Sequence, residues 1–351
     1  MMRALNSALL AVFFLVIAVP GVAYLFGMEA EENFSSAPTP FPAARSLLLP
    51  APEPRSAFAR AIFDRSTIKY DAISLRNTIS YHFLGSIETD EVVSGDAGWL
   101  FYKQQFDAWS CARRAALDNE LARAETILSI AEAAGANVTF VSAPNKASIE
   151  RTHLTGRAAR YAPCYFDFEA RFRASLSRFP DHAVVDHAAA LAMLGSSQQR
   201  FFMQDTHWTP RAAYAAIAQL RDARPGVFPA PLPPIASEQA RMRHTDLGNT
   251  MLRLRTEEPH AHPVFGPAAS AETGRGVLII HDSFYGLIRD QLRAFFPAAT
   301  LASLNRGPPL DYETLRGFDH IVVQSVERRF LARLNQEWTG PESTSYNWGS
   351  P

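Results

Sequence analysis

The chain has 351 residues, enough for one large or two ordinary domains whose core needs no covalent staples. With 34 Lys and Arg against 35 Asp and Glu, the formal charge is −1, which argues against binding nucleic acid or other polyanions by bulk charge alone. A hydrophobic fraction of 47% and a charged fraction of 20% exclude a disordered chain and a multi-span membrane protein, and two cysteines cannot by themselves build a four-thiolate zinc site or an iron–sulfur cluster.

Residues 8–26 run 19 positions without a charge, preceded by Arg3 and followed by Glu29, Glu31 and Glu32. As a helix this stretch would span about 28 Å, close to the hydrocarbon core of a bilayer. The charge bias places the C-terminal bulk of the chain outside the cytoplasm. Residues 1–28 therefore read as a signal anchor, one transmembrane helix holding the protein to the inner membrane on its periplasmic side. Gly21-Val22-Ala23 offers a small-x-small cleavage site, so release into the periplasm is the alternative. Residues 29–56 read as a tether: Pro38, Pro40, Pro42, Pro50, Pro52 and Pro54 favour extended backbone there. In an exported chain Cys111 and Cys164 can form one disulfide, two buried thiols being the alternative.

The remainder, 57–351, reads as one α/β domain. The first half of 57–83 has a helical pattern. The segment 92–102, VVSGDAGWLFY, reads as strand, glycine turn and aromatic strand. A helix is predicted over 112–134 with Gly135 as its stop, a strand over 137–143 and a helix over 166–179. Three short apolar runs, 276–281, 299–304 and 320–324, have the composition of buried parallel strands separated by helical stretches. This alternation predicts a mostly parallel sheet covered on both faces. The chain shows no internal repeat, no Walker loop and no G-x-G-x-x-G.

Ligands gather at the carboxyl ends of such strands. After GVLII comes His281-Asp282-Ser283, then a helical pattern with Phe284, Leu287, Ile288, Leu292, Phe295 and Phe296 on one face. Ser283 thus falls at a strand-to-helix junction, where a hydroxyl can project and backbone N–H groups can stabilise an oxyanion, or where the serine simply caps a helix. In Asp205-Thr206-His207-Trp208-Thr209-Pro210, Thr209 and Pro210 are a helix cap and first position, leaving Asp205 and His207 on the preceding loop. An aspartate two residues before a histidine can accept the imidazole Nδ1–H and leave Nε2 as a base. Together these blocks supply nucleophile, base and orienter for acyl transfer.

These motifs resemble the alginate O-acetyltransferase family, the AlgJ and AlgX type of SGNH hydrolase-like protein. The resemblance rests on VVSGDAGWLFY at 92–102, APNKASI at 143–149, DTHW at 205–208, HTDLGNTML at 244–252, IIHDSF at 279–284 and VVQSVERRFL at 322–331. It implies a three-layer SGNH hydrolase-like fold with permuted motif order, Asp205 and His207 preceding Ser283. It also implies an exported enzyme that moves an acetyl group through Ser283 to hydroxyls of an exopolysaccharide. No cofactor is expected. Acetyl-CoA being cytoplasmic, the resemblance implies a membrane-bound O-acyltransferase as donor partner. The 17 residues after Leu334 are too few for an appended carbohydrate-binding module, which matches the AlgJ-type arrangement. His281 stands where many relatives carry glycine.

Lys146 follows a strand end and is a candidate substrate contact. Arg328, after Glu327 at the end of another strand, is a candidate lining residue, with a helix-start ion pair as the alternative. Asn249 is a candidate second oxyanion donor, and Trp208 a candidate sugar-stacking wall or a buried core residue. His260 and His262 form an H-x-H pair, read as loop histidines and not as a metal site. With the same triad and water as acceptor, the reaction would be that of an acetylesterase; a non-catalytic scaffold is the third reading.

Overall fold

The computed structural model describes residues 40, 56–58, 60–61, 67–133, 138–195, 198–228, 230–266, 274–303 and 317–335. The anchor predicted at 1–28 lies outside the described residues, as does the tether at 29–56 except for residues 40 and 56. Among the described residues, no helix is long and apolar enough to cross a membrane. The chain divides into two compact units, Met1–Ile87 with Thr245–Thr256, and Glu88–His244 with Glu257–Pro351.

In the first unit, helix α1 (Thr67–Thr78) runs on into one π-helical turn at Ile79–Phe83. Residues 67–83 are therefore helical, beyond the first half of 57–83 that carried the pattern. The segment 245–256 ties to this helix: Ser74 Oγ donates to the Arg253 carbonyl at 2.6 Å and Asn77 Nδ2 to the Leu252 carbonyl at 3.0 Å. The Arg253 guanidinium lies 3.9 Å from the Tyr70 ring centre.

The second unit begins with a hairpin, β1 (Val92–Ser94) and β2 (Leu100–Tyr102). Its turn needs Gly95, because a Cβ there would fall 1.9 Å from the His153 carbonyl oxygen. Then come α2 (Gln104–Ala108), α3 (Arg114–Ala133), β3 (Val138–Ala143), α4 (Lys146–Ile149), α5 (Ala162–Leu176), β4 (Val184–Asp186), α6 (His187–Met193) and α7 (Pro210–Ala223). A long ribbon, β5 (Ile235–His244) with β6 (Glu257–Phe265), is next. The chain continues with β7 (Val277–His281), α8 (Ser283–Gly286), α9 (Arg289–Phe295), β8 (Thr300–Ser303), β9 (His320–Val326) and α10 (Glu327–Asn335).

The central sheet has the order β4-β3-β9-β7-β8 and every pairing in it is parallel. This is the mostly parallel sheet expected from the three apolar runs. All five residues of β7 are buried, as a strand covered on both faces requires. Alternate residues sort into layers. Phe140, Val323 and Ser325 face the same void as Phe330, Arg333 and Leu334 of α10. On the other face, Thr139 Oγ1 meets His320 Nε2 at 3.1 Å, and Arg224, which ends α7, donates to His320 Nδ1 at 2.9 Å. Helices α10 and α7 therefore cover opposite faces.

The core beside α5 is aromatic: the Trp109 ring lies 5.2 Å from Tyr165, 5.2 Å from Phe168 and 5.3 Å from Phe172. Each such side chain contributes about 1.5–3 kcal/mol through burial. Cys111 and Cys164 join the start of α3 to α5 by a disulfide, with Cα atoms 5.3 Å apart. One predicted element differs. The apolar face after Ser283 is buried at Phe284, Ile288, Leu292, Phe295 and Phe296, but the helix is broken into α8 and α9 at Leu287 and Ile288.

Candidate active site

Strand β3 leads outward to β4 on one side of the sheet and β7 outward to β8 on the other, with β9 between them. Their carboxyl ends therefore converge above β9, the crevice where ligands of open α/β sheets bind. Asn145 and Lys146 follow β3, Asp282 and Ser283 follow β7, and Glu327 and Arg328 follow β9.

Asp205 and His207 come to this edge on the loop before α7. Thr209 caps that helix, its Oγ1 accepting from Ala212 N at 3.3 Å, and Pro210 takes the first helical position. Buried Ala212, Ala213, Ala216, Ile217 and Leu220 then seat one face of α7 on the core. The loop is pinned at both ends by Phe202 N donating to the His207 carbonyl at 3.3 Å and Thr209 N donating to the Arg200 carbonyl at 2.8 Å.

The Asp205 carboxylate is fully buried. Its Oδ1 accepts two bonds from His207, from the backbone N–H at 2.9 Å and from Nδ1 at 2.7 Å. Its Oδ2 accepts from Arg243 Nε at 3.0 Å. Burial alone would raise the Asp205 carboxyl, but the hydrogen bond and charge of His207, followed by the charge of Arg243, hold it well below the usual carboxylate range. With Nδ1 donating to Asp205, the imidazole presents Nε2 as its acceptor.

Ser283 opens α8 and is exposed. Asp282 fixes this junction: Oδ1 accepts from Phe284 N at 2.9 Å and Oδ2 from Val326 N at 2.7 Å, while Asp282 N donates to Gln324 Oε1 at 3.1 Å. The next residue packs on the dyad, with the Phe284 ring 5.0 Å from the His207 ring. Tyr285 OH lies 2.7 Å from His187 Nε2. Gln219 Nε2 donates to the Asp186 carbonyl at 3.1 Å, turning Oε1 towards His187 Nδ1 at 2.9 Å, so Nδ1 carries the proton and the tyrosine donates to Nε2. Burial depresses His187 to about 4, keeping it neutral.

The remaining predicted residues fall in different places. Lys146 is buried, and its Nζ donates to the carbonyls of Leu100 and Met203 at 2.6 Å each and of Asp205 at 3.2 Å. It holds the Asp205 loop from below instead of projecting into the crevice. Trp208 is fully buried and donates Nε1–H to the Phe284 carbonyl at 3.2 Å, so its indole lies beneath the edge and offers no sugar-stacking surface. Arg328 is half-buried, donates to Asn145 Oδ1 at 3.0 Å, and has its guanidinium 5.8 Å from the Phe284 ring centre and 5.5 Å from that of Tyr102.

Asn249 belongs to the first unit, where its amide brackets Thr256, donating to the carbonyl and accepting from the N–H at 2.7 Å. Glu327 is completely buried: it accepts from Asn145 N at 2.8 Å and Ser148 Oγ at 2.6 Å and pairs with Arg173. His281 is buried, with Nδ1 2.9 Å from the Asp282 carbonyl. His260 and His262 sit on β6 with ring centres 6.0 Å apart, in a strand and not in the proline-rich loop expected.

Arg243 and Glu258 carry no local sequence signal that ties them to Asp205. They lie 38 and 53 residues from Asp205 in sequence, on a ribbon whose charged residues look like surface. A single arginine directly opposite a buried glutamate was the available signal, and it depends on knowing the register.

A parallel five-stranded sheet with an Asp–His pair and a strand-to-helix serine at its carboxyl edge fits an SGNH hydrolase-like α/β fold. Residues 92–256 match the family described as "SGNH hydrolase-like domain, acetyltransferase AlgX"; the match contains Asp205, His207 and Arg243, and Ser283 lies beyond it. A relative in Pseudomonas syringae pv. tomato, "Probable alginate O-acetylase AlgJ", is 29% identical over 134 residues, 37% of this chain and 32% of its own length, so the match spans about a third of that relative. Among solved structures, the O-acetyltransferase domain of Pseudomonas putida AlgJ aligns with a TM-score of 0.49 at 20% identity, over 72% of this chain and 96% of that one. Pseudomonas aeruginosa AlgX aligns with a TM-score of 0.44 at 13% identity, over 69% and 65%. Over these matched segments the chain is similar to alginate O-acetyltransferases.

Proposed function

We propose that this protein is an exported O-acetyltransferase that moves an acetyl group through an acyl-Ser283 intermediate to hydroxyls of an alginate-like exopolysaccharide. The observation that carries the reading is the Asp205–His207 pair, 2.7 Å apart, on the carboxyl edge of the sheet where α8 begins with Ser283. His207 Nε2 takes the Ser283 proton as Oγ attacks the acetyl carbonyl, then returns it to the leaving group. In the second half-reaction it takes a proton from the sugar hydroxyl, whose oxygen attacks the acyl carbonyl, and returns that proton to Ser283 Oγ as the acyl–serine bond breaks. Asp205, ionised throughout, holds the imidazole tautomer and offsets the imidazolium charge.

Outside the cytoplasm the acetyl group must come from a membrane partner, and a membrane-bound O-acyltransferase has the required chemistry. Retention by the residue 1–28 segment would raise the effective concentration near that partner. The test incubates the purified protein with an acetyl donor ester, with and without uronate oligosaccharide. Mass spectrometry should find the acetyl group on the Ser283 peptide and then on the glycan, with both signals absent in Ser283→Ala. Acetate release indifferent to any glycan would make the protein an esterase. Full polymer acetylation in cells carrying Ser283→Ala would leave it a scaffold.

A further inference from the structure

The ribbon is not part of the central sheet, yet its inner end is fastened to the dyad's loop. In the β5–β6 register Arg243 stands directly opposite Glu258. Most of β5 is exposed, whereas Glu258 is buried and Arg243 half-buried. Both spend their polar atoms on the same loop. Glu258 Oε1 accepts from Met203 N at 2.5 Å and Gln199 Nε2 at 2.6 Å, and Oε2 accepts from Gln204 N at 2.9 Å. Arg243 donates Nε–H to Asp205 Oδ2, while its guanidinium lies 4.9 Å from the Phe202 ring centre.

We propose that Arg243 and Glu258 form a clip whose function is to position the Asp205–His207 dyad, an inference that rests on the catalytic reading of that dyad. Asp205 Oδ1 is committed to His207 by two bonds, so the direction of the carboxylate plane is set by what holds Oδ2. Arg243 bonds Oδ2, and its charge balances a carboxylate placed fully out of water. Glu258 fixes the backbone two and one residues upstream, where the rotation that aims Asp205 is decided. The clip works from the ribbon side while Lys146 takes the Met203 and Asp205 carbonyls from the other. Neither Arg243 nor Glu258 transfers a proton. They act through Asp205.

The experiment uses the full chain carrying Arg243→Ala, Arg243→Lys or Glu258→Gln, beside Ser283→Ala. Misplacing a catalytic group by about an ångström costs on the order of 100-fold. Arg243→Ala should lose about that factor in kcat with KM within about threefold, and added ethylguanidinium should restore part of it. The second readout needs no acetyl chemistry: the downfield imidazole N–H proton of the Asp205–His207 bond, seen by NMR in the native protein, should shift or exchange away in Arg243→Ala and persist in Ser283→Ala. If Arg243→Ala does not fold, Arg243→Lys keeps a charge but loses the planar fork, and the same NMR shift and kcat loss are expected. Native kcat and an unchanged N–H signal in folded Arg243 variants would overturn the clip while leaving the Ser283 reading intact. Loss of the N–H signal in a protein with no Ser283-dependent activity would keep the clip and remove the acetyltransferase.

Discussion

Trp208 donates its indole N–H to the backbone carbonyl of Phe284, 3.2 Å away. The residue after His207 is thereby bonded to the residue after Ser283. Two segments 76 residues apart in sequence are held in register by one buried hydrogen bond and by packing of the Trp208 and Phe284 rings at 5.3 Å. Trp208→Phe keeps most of the apolar volume and removes the donor, leaving the Phe284 carbonyl without it. Stability should fall by about 1–2 kcal/mol in urea unfolding, and kcat by about tenfold with little change in KM. Unchanged kcat would show that the two segments keep their spacing by packing alone.

Lys146 should behave as a structural cation. Lys146→Met fits the space but removes a donor from the carbonyls of Leu100, Met203 and Asp205, at a cost of about 3 kcal/mol or more. Chemical denaturation should show that loss, and added substrate should not recover activity. A variant with native stability and only a raised KM would instead make Lys146 a substrate contact.

Stability should carry a pH signature from Glu327. Burial raises its carboxyl to about 7, with Glu169 and Asp186 adding to the effect and Arg173 opposing it; the ordinary value is 4.5. Between about 4.5 and 7 the folded protein holds a proton that the unfolded chain has released, so stability falls as pH rises through that window. Glu327→Gln carries no ionisable group, and its melting temperature should change less between pH 5 and pH 8 than that of the native protein. Parallel curves for the two proteins would refute the assignment.

The disulfide closes a segment with a sequence separation of 53. By chain entropy it stabilises the fold by about 4 kcal/mol. Cys111→Ser, or reduction of the native protein, should lower the urea midpoint accordingly. The loss should spare KM, because the bridge joins α3 to α5 and neither carries a dyad residue.

Much of the fold was written in local patterns. The apolar runs at 276–281, 299–304 and 320–324 became β7, β8 and β9, because strands enclosed by helices are chosen for apolar side chains and little else. Thr209-Pro210 capped α7 as its spacing required. Strand β4 was missed because three residues carry no periodicity, and the ribbon because Pro259 and Pro263 argue against a strand. Four positions apart, these prolines share one pairing class, and a two-stranded ribbon leaves the outward N–H positions unpaired, so proline costs little there. At the site, Asp205, His207 and the strand-end serine were legible because adjacency in sequence encodes them. The roles of Lys146, Trp208, Arg243 and Glu258 were not, since burial and partner are set by distant segments.

The last described strand to be made, β9, occupies the middle of the sheet. It joins β3 and β4 on one side to β7 and β8 on the other. A chain that emerges from its N-terminus first can build the β3–β4 half, the dyad loop and the ribbon, then the β7–β8 half, but cannot weld the halves until residues 320–326 arrive. Every fragment ending before that point lacks the crevice, so Asp205, His207 and Ser283 are not yet gathered at one sheet edge. Late insertion of a central strand also lengthens the loops that must close before the sheet is complete, which predicts slow folding.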